Sequence, residues 1–121
     1  MKEKMIKGLK IEPHKHPEYV TVENELKALQ AQVGGLIEVI TLSPTAAIII
    51  NDEGKLIGLE GNRRFRNDVI VGNMLIVGVK GEEFASLNDI EAERYKKRFW
   101  EPEDISAEEI RQHMGFRIIY F

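Results

Sequence analysis

The sequence predicts an α+β fold, a mainly antiparallel β-sheet with one helix in the N-terminal half and two C-terminal helices. Three observations predict it. Short β-branched, apolar runs recur through the first two thirds of the chain. Turn residues such as Asn51-Asp52-Glu53-Gly54 and Gly72-Asn73 separate neighbouring runs closely enough for antiparallel pairing. Helical spacing of apolar residues appears once early, at Leu26, Leu29 and Val33, and again after Ser86.

The elements follow in order. Lys4 to Ile11 places Ile6, Leu9 and Ile11 in a first strand, and Pro13 and Pro17 bracket a loop because proline restricts the backbone around it. Tyr19 to Val22 is a second short strand. A helix is expected from about Glu23 to Val33, with acids at its positive N-terminal end and Gly34-Gly35 as its stop. Leu36 to Leu42 and Ala47 to Asn51 are strands. After the Asn51–Gly54 turn, Lys55 to Leu59 is expected to return as the hairpin partner. Asp68 to Val71, Gly72-Asn73 and Met74 to Val79 give strand, turn and strand. Ser86 is the expected N-cap of a helix running through Trp100, which Pro102 ends. Ser106 and Glu109 form a capping box for a shorter helix to about Met114, closed by Gly115. Phe116 to Phe121 is β-prone and is read as a final strand.

Composition bounds the function. The chain has 121 residues, 43% hydrophobic and 31% charged, which suits one domain over residues 1–121. A net charge of −3 argues against a general nucleic-acid binder. There is no cysteine, which excludes disulfides, thiolate metal sites and cysteine catalysis and fits a reducing cytoplasm. Charges interrupt the N-terminus before a secretory apolar core can form, and the longest apolar run, Ala46 to Ile50, cannot span a bilayer. A cytoplasmic protein without membrane contact is the expectation.

The most specific chemistry lies in Gly61-Asn62-Arg63-Arg64-Phe65-Arg66-Asn67, a cationic stretch in an acidic chain. Guanidinium forks pair bidentately with phosphates and carboxylates. In a strand, Arg64 and Arg66 share one face while Arg63 and Phe65 take the other; in a loop, all three arginines can converge. Two readings stay open: an anion pocket with Phe65 or Phe84 stacking on a base, or a solvated loop whose arginines pair with the acidic helices. Arg94, Lys97 and Arg98 fall on one side of the expected helix and can reach the same ligand.

The other candidates are weaker. His14 and His16 form a His-x-His pair, but the flanking prolines point to a loop and not to a rigid metal cage. Gly34-Gly35 trails a helix and lacks a following Gly-Lys-Ser/Thr, so it terminates that helix and does not cradle phosphate. No nucleophile elbow surrounds Ser43 or Ser86. Glu101 to Glu109 holds five acids and no base, which offers either a solvated helix pair or a docking surface for a basic partner. No catalytic residue, metal ligand or cofactor is assigned.

Several of these segments together resemble a small family, the domain of unknown function 3846 type, common in bacteriophages, plasmids and mobile elements. The likeness runs through Leu26 to Gln30, Val33 to Glu38, Asn51 to Lys55, Leu59, Asn62-Arg63, Ile70 to Gly72, Ile76 to Gly78 and Phe84 to Leu87. It covers roughly residues 5–100, and 101–121 looks like an extension. The resemblance implies a genomic setting more than a chemistry. By analogy, small phage proteins that sequester nucleotide immune signals suggest an anti-defence role. The expected function is therefore non-enzymatic binding of a small anionic, nucleotide-derived ligand by Asn62, Arg63, Arg64, Arg66, Phe84 and Arg94. A small domain has little depth, so a homo-oligomer with its pocket between protomers is part of that expectation. The alternatives are an acidic inhibitor of a host complex and a nucleotide-processing enzyme.

Overall fold

The structure is a computed structural model that describes residues 2–114. It is α+β, and its strands pair antiparallel throughout: β1 (Met5–Ile11), β2 (Glu18–Glu23), α1 (Leu26–Val33), β3 (Ile37–Ser43), β4 (Ala46–Asn51), β5 (Gly61–Phe65), β6 (Asp68–Val71), β7 (Met74–Lys80), β8 (Glu83–Ala85), α2 (Asp89–Arg98) and α3 (Ala107–Gln112). Six strands form the main sheet in the order β2-β1-β7-β4-β3, with β8 added to β7; β5 and β6 form a separate two-stranded sheet.

The apolar run of β7 is dense because this strand sits centrally and is covered on both faces. Its outer edge changes partner along its length. Met74 to Ile76 pair with β1, whereas Gly78 to Lys80 pair with β8. Glycines make that exchange fit, since a Cβ on Gly8 would strike the Ile76 carbonyl and one on Gly78 the Ser86 carbonyl.

Alternation along the strands splits the core in two. One face carries Leu9, Ile11, Ala46, Ile48, Met74 and Ile76 and packs under the β5–β6 hairpin and α2, through Phe65, Ile70, Ala92, Tyr95 and Phe99. The opposite face carries Ile6, Ile49, Leu75 and Val77 and packs under α1, through Leu29 and Val33. Gly34 ends α1 in the left-handed region at φ 81, its N–H donating to the Gln30 carbonyl as a glycine stop should. Ser106 caps α3 by accepting from the Glu109 N–H at 3.1 Å.

Three expectations are corrected. Lys55 to Leu59 is not a strand: β4 already has β3 on one edge and β7 on the other, so 52–58 folds into successive turns with Leu56 and Ile57 exposed. The strands of the 68–79 segment lie in different sheets, because Gly72 at φ 72 redirects the chain between them. Asn88, not Ser86, caps α2; its side chain accepts the Glu91 N–H at 2.8 Å, while the Ser86 hydroxyl accepts the Lys7 N–H at 3.0 Å beside β8. Gly115 and the strand expected at 116–121 lie outside the described residues.

Candidate functional site

The cationic stretch is the strand β5 and its turn, and strand alternation separates its arginines. Arg63 points inward and is 0% exposed. Its guanidinium donates to the Phe99 carbonyl at 3.0 Å, the Lys15 carbonyl at 2.6 Å, and the Asn62 carbonyl and side-chain oxygen at 3.2 and 2.7 Å. Burial lowers its pKa from the ordinary arginine value, partly opposed by Glu103 and Glu101. Asn62 is equally buried and donates to the carbonyls of Ile11 and Gly72 at 2.8 and 2.7 Å. These two residues tie the β1–β2 loop, the end of β1, the β6–β7 turn and the end of α2 into one hub.

Arg64 faces outward to the segment around α3. It pairs with Glu109 at 2.7 Å and Glu103 at 3.0 Å. Those hydrogen bonds raise the Arg64 pKa, and Arg64 in turn holds the Glu109 carboxyl below its usual value. The solvated-loop reading had foreseen pairing with acids, and it describes Arg64.

Arg66 takes the first position of the two-residue β5–β6 turn at φ 57, in the left-handed region that disfavours a branched-off side chain. It reaches back over the sheet, donating to the Thr41 carbonyl of β3 at 3.1 Å. Its guanidinium carbon lies 4.5 Å from the centroid of the Phe65 ring, and that of Arg98 lies 4.9 Å from the same ring. Cation–π attraction thus gathers an arginine from the hairpin turn and one from α2 around one aromatic side chain. Arg94 stands one helical turn before Arg98 and lines a shallow depression with Ser43, Pro44, Thr45 and Ile90, and with Asn88, Asp89 and Glu91 from the start of α2. Among the described residues, no carboxylate lies within 4.0 Å of the guanidinium nitrogens of Arg66, Arg94 or Arg98.

The six residues singled out in the sequence are therefore not brought together. Asn62 and Arg63 are internal, Arg64 is paired on the α3 side, and Phe84 packs on the α1 face of the main sheet, opposite the hairpin. Phe65 is 4% exposed and offers no open ring to a base. Arg66 and Arg94 remain on a common side. They are joined by Arg98, whose spacing four residues after Arg94 is the one sequence signal that places it there.

Elsewhere, His14 pairs with Glu60 at 2.9 Å and His16 stacks on Trp100 at 4.0 Å, so the two histidines diverge. No metal-holding group of three or more His, Cys, Asp or Glu occurs among the described residues. The Glu91 carboxylate is buried and accepts from Ser43, Thr45 and Asn88 at 2.9 Å each, which fastens the start of α2 to the β3–β4 turn. A half-open cleft of about 390 Å³ lies between the main sheet and the hairpin, next to the loop after β4. Nothing in the sequence signals it, since its walls come from β3, β4, β6, the 52–58 turns and the end of α3 at His113 and Met114.

Fold and surface define a small α+β protein with an internal asparagine–arginine hub and an arginine patch above the sheet that has no carboxylate partner among the described residues. The chain belongs to the family described as Domain of unknown function (DUF3846), whose model matches residues 6–100. Comparisons with curated proteins and with solved structures returned no match. No helix among the described residues is long and apolar enough to cross a membrane.

Proposed function

We propose that this protein is a non-enzymatic binding module that captures a small anionic, nucleotide-derived ligand on the patch formed by Arg66, Arg94 and Arg98. The observation that carries the reading is the gathering of Arg66 and Arg98 around Phe65 with no carboxylate partner among the described residues. Each guanidinium has five N–H donors, and Arg66 commits one nitrogen to the Thr41 carbonyl. Among the described residues the rest have no side-chain partner, which leaves them for the charge-assisted, paired bonds that phosphate oxygens accept. The Ser43–Thr45 turn and Ile90 beside Arg94 offer a polar and an apolar surface to the non-phosphate part. Capture without turnover, in the cytoplasm of a bacterial host, is the role that fits a phage or mobile-element setting. The acidic-inhibitor reading has less support, because Glu103 and Glu109 are engaged by Arg64.

The test is thermal unfolding of the purified protein with mononucleotides and cyclic dinucleotides, since a ligand that prefers the folded state raises the melting temperature. A shift that weakens with salt and is lost in the Arg66→Gly, Arg98→Ala double variant supports the reading. An unchanged shift in that variant sinks it. Mass spectrometry of the heat-released ligand separates intact capture from chemical processing.

A further inference from the structure

We propose that the cleft between the main sheet and the β5–β6 hairpin is a second site, which takes a small organic cation with an apolar body. It is carried by residues distinct from the arginine patch. The cleft measures about 390 Å³, within the range of small-molecule sites, and is more than a surface dimple because the hairpin and the 52–58 turns wall it on two sides. Its floor is hydrocarbon, chiefly Ile40 and Ile50 from the main sheet and Ile70 from β6, with Leu56 on the rim. Such a floor gains from apolar contact and does not suit a hydrated metal ion.

Charge selects the occupant. Among the described residues the cleft is lined by Glu38, Asp52 and Asp68, against Lys55 as its one ammonium and the imidazole of His113, which lies 3.8 Å from Asp68, and with no arginine. Lys55 is committed to Asp68 at 2.6 Å and also donates to the His113 carbonyl. Glu38 and Asp52 have no cation within 4.0 Å among the described residues, and neither side chain has a hydrogen-bond partner there. Two unpaired carboxylates over an apolar floor match a protonated amine on a hydrocarbon or aromatic body. They repel the anions that the arginine patch attracts, so the two sites sort ligands by sign on one small molecule.

The probe is 2-phenylethylamine, which is cationic at neutral pH, set against 3-phenylpropionate, a similar body with the opposite charge. Titration of the full chain, followed by chemical-shift changes of the Ile40, Ile50 and Ile70 methyls, reads the site directly. The amine is expected to shift those methyls, and the carboxylate is not. Glu38→Gln and Asp52→Asn, both at exposed positions without side-chain bonds, should each weaken the amine about fivefold, the effect of one charge at contact distance in water. Equal binding of both probes, methyls that do not respond to the amine, or unchanged affinity in the double variant overturns the proposal. Loss of nucleotide binding in the arginine variants leaves this titration unaffected, so the two readings fail separately.

Discussion

Arg63→Met tests whether the buried guanidinium is a structural tie. The substitution keeps an unbranched apolar stem and removes all four hydrogen bonds. Two effects oppose each other. Methionine relieves the burial that already disfavours the charged form, as the lowered pKa shows. Against that, the Phe99 and Lys15 carbonyls lose their donor, along with both Asn62 oxygens. A stranded buried acceptor costs about 1–3 kcal/mol; the buried Phe99 carbonyl and the loosened, buried Asn62, with a smaller share from the part-buried Lys15 carbonyl, give a net loss of about 3–5 kcal/mol. That is a large share of the roughly 5–15 kcal/mol available to a folded domain. At about 4 °C per kcal/mol for a domain near this size, the midpoint should fall by at least about 10 °C. Thermal unfolding measures the midpoint and urea unfolding the free energy, each followed by far-ultraviolet circular dichroism and by Trp100 fluorescence. Arg63→Lys sharpens the result: one ammonium keeps the charge but lacks the fork that spans both carbonyls, so it should lie close to the methionine variant. A methionine variant within about 0.5 kcal/mol of the parent, the ordinary range for an inconsequential surface change, refutes the tie.

Three further outcomes are expected. Arg66→Gly relaxes a left-handed backbone while deleting a patch arginine, so its melting temperature should match or exceed the parent while nucleotide binding drops; a marked loss of stability contradicts this. The stability difference between the parent and Arg64→Ala should depend on pH. Because Arg64 depresses the folded-state pKa of Glu109, the stabilisation is complete above the ordinary value of 4.5 and fades as pH falls through the depressed value, so the two denaturation curves converge in acid. A gap that stays constant between neutral and strongly acidic pH refutes that coupling. Gly61→Ala should cost about 1–3 kcal/mol by overpacking, since the added Cβ would lie 2.7 Å from the Ile105 Cβ; chemical denaturation that finds the variant unchanged removes the contact from the account.

The fold class was legible because its signals are local. Alternation marked β1 and β2, glycine ended α1, and the Ser106–Glu109 pair capped α3. What escaped was competition between distant segments. Lys55 to Leu59 has a strand's composition, but no edge of β4 is free to receive it. Gly72 and Gly78 look alike in sequence, yet one redirects the chain between sheets and the other admits the Ser86 carbonyl. The candidate site was legible only in part for the same reason. The sequence showed three arginines together, and the strand's period of two sent Arg63 inside, Arg64 to α3 and Arg66 to the turn. The burial of Arg63 depends on carbonyls from Lys15 and Phe99, which no local window contains.

The strand order also sets a timetable for the nascent chain. β1 leaves the ribosome before the other strands of this sheet, yet it lies inside the sheet, and its Leu9 waits for Ile76 of β7. At roughly 5–20 residues per second, that partner follows about 3–13 seconds later. In the interval β1 has only β2 to pair with, and a lone two-stranded hairpin is marginal in water. Its apolar Ile6, Leu9 and Ile11 therefore stay open to chaperones or to other chains until β7 emerges. The hub waits still longer, because the Phe99 carbonyl that Arg63 holds is made after β7 and β8. Pulse-labelled chains stalled before residue 74 should be protease-sensitive throughout, with protection arriving late and nearly at once.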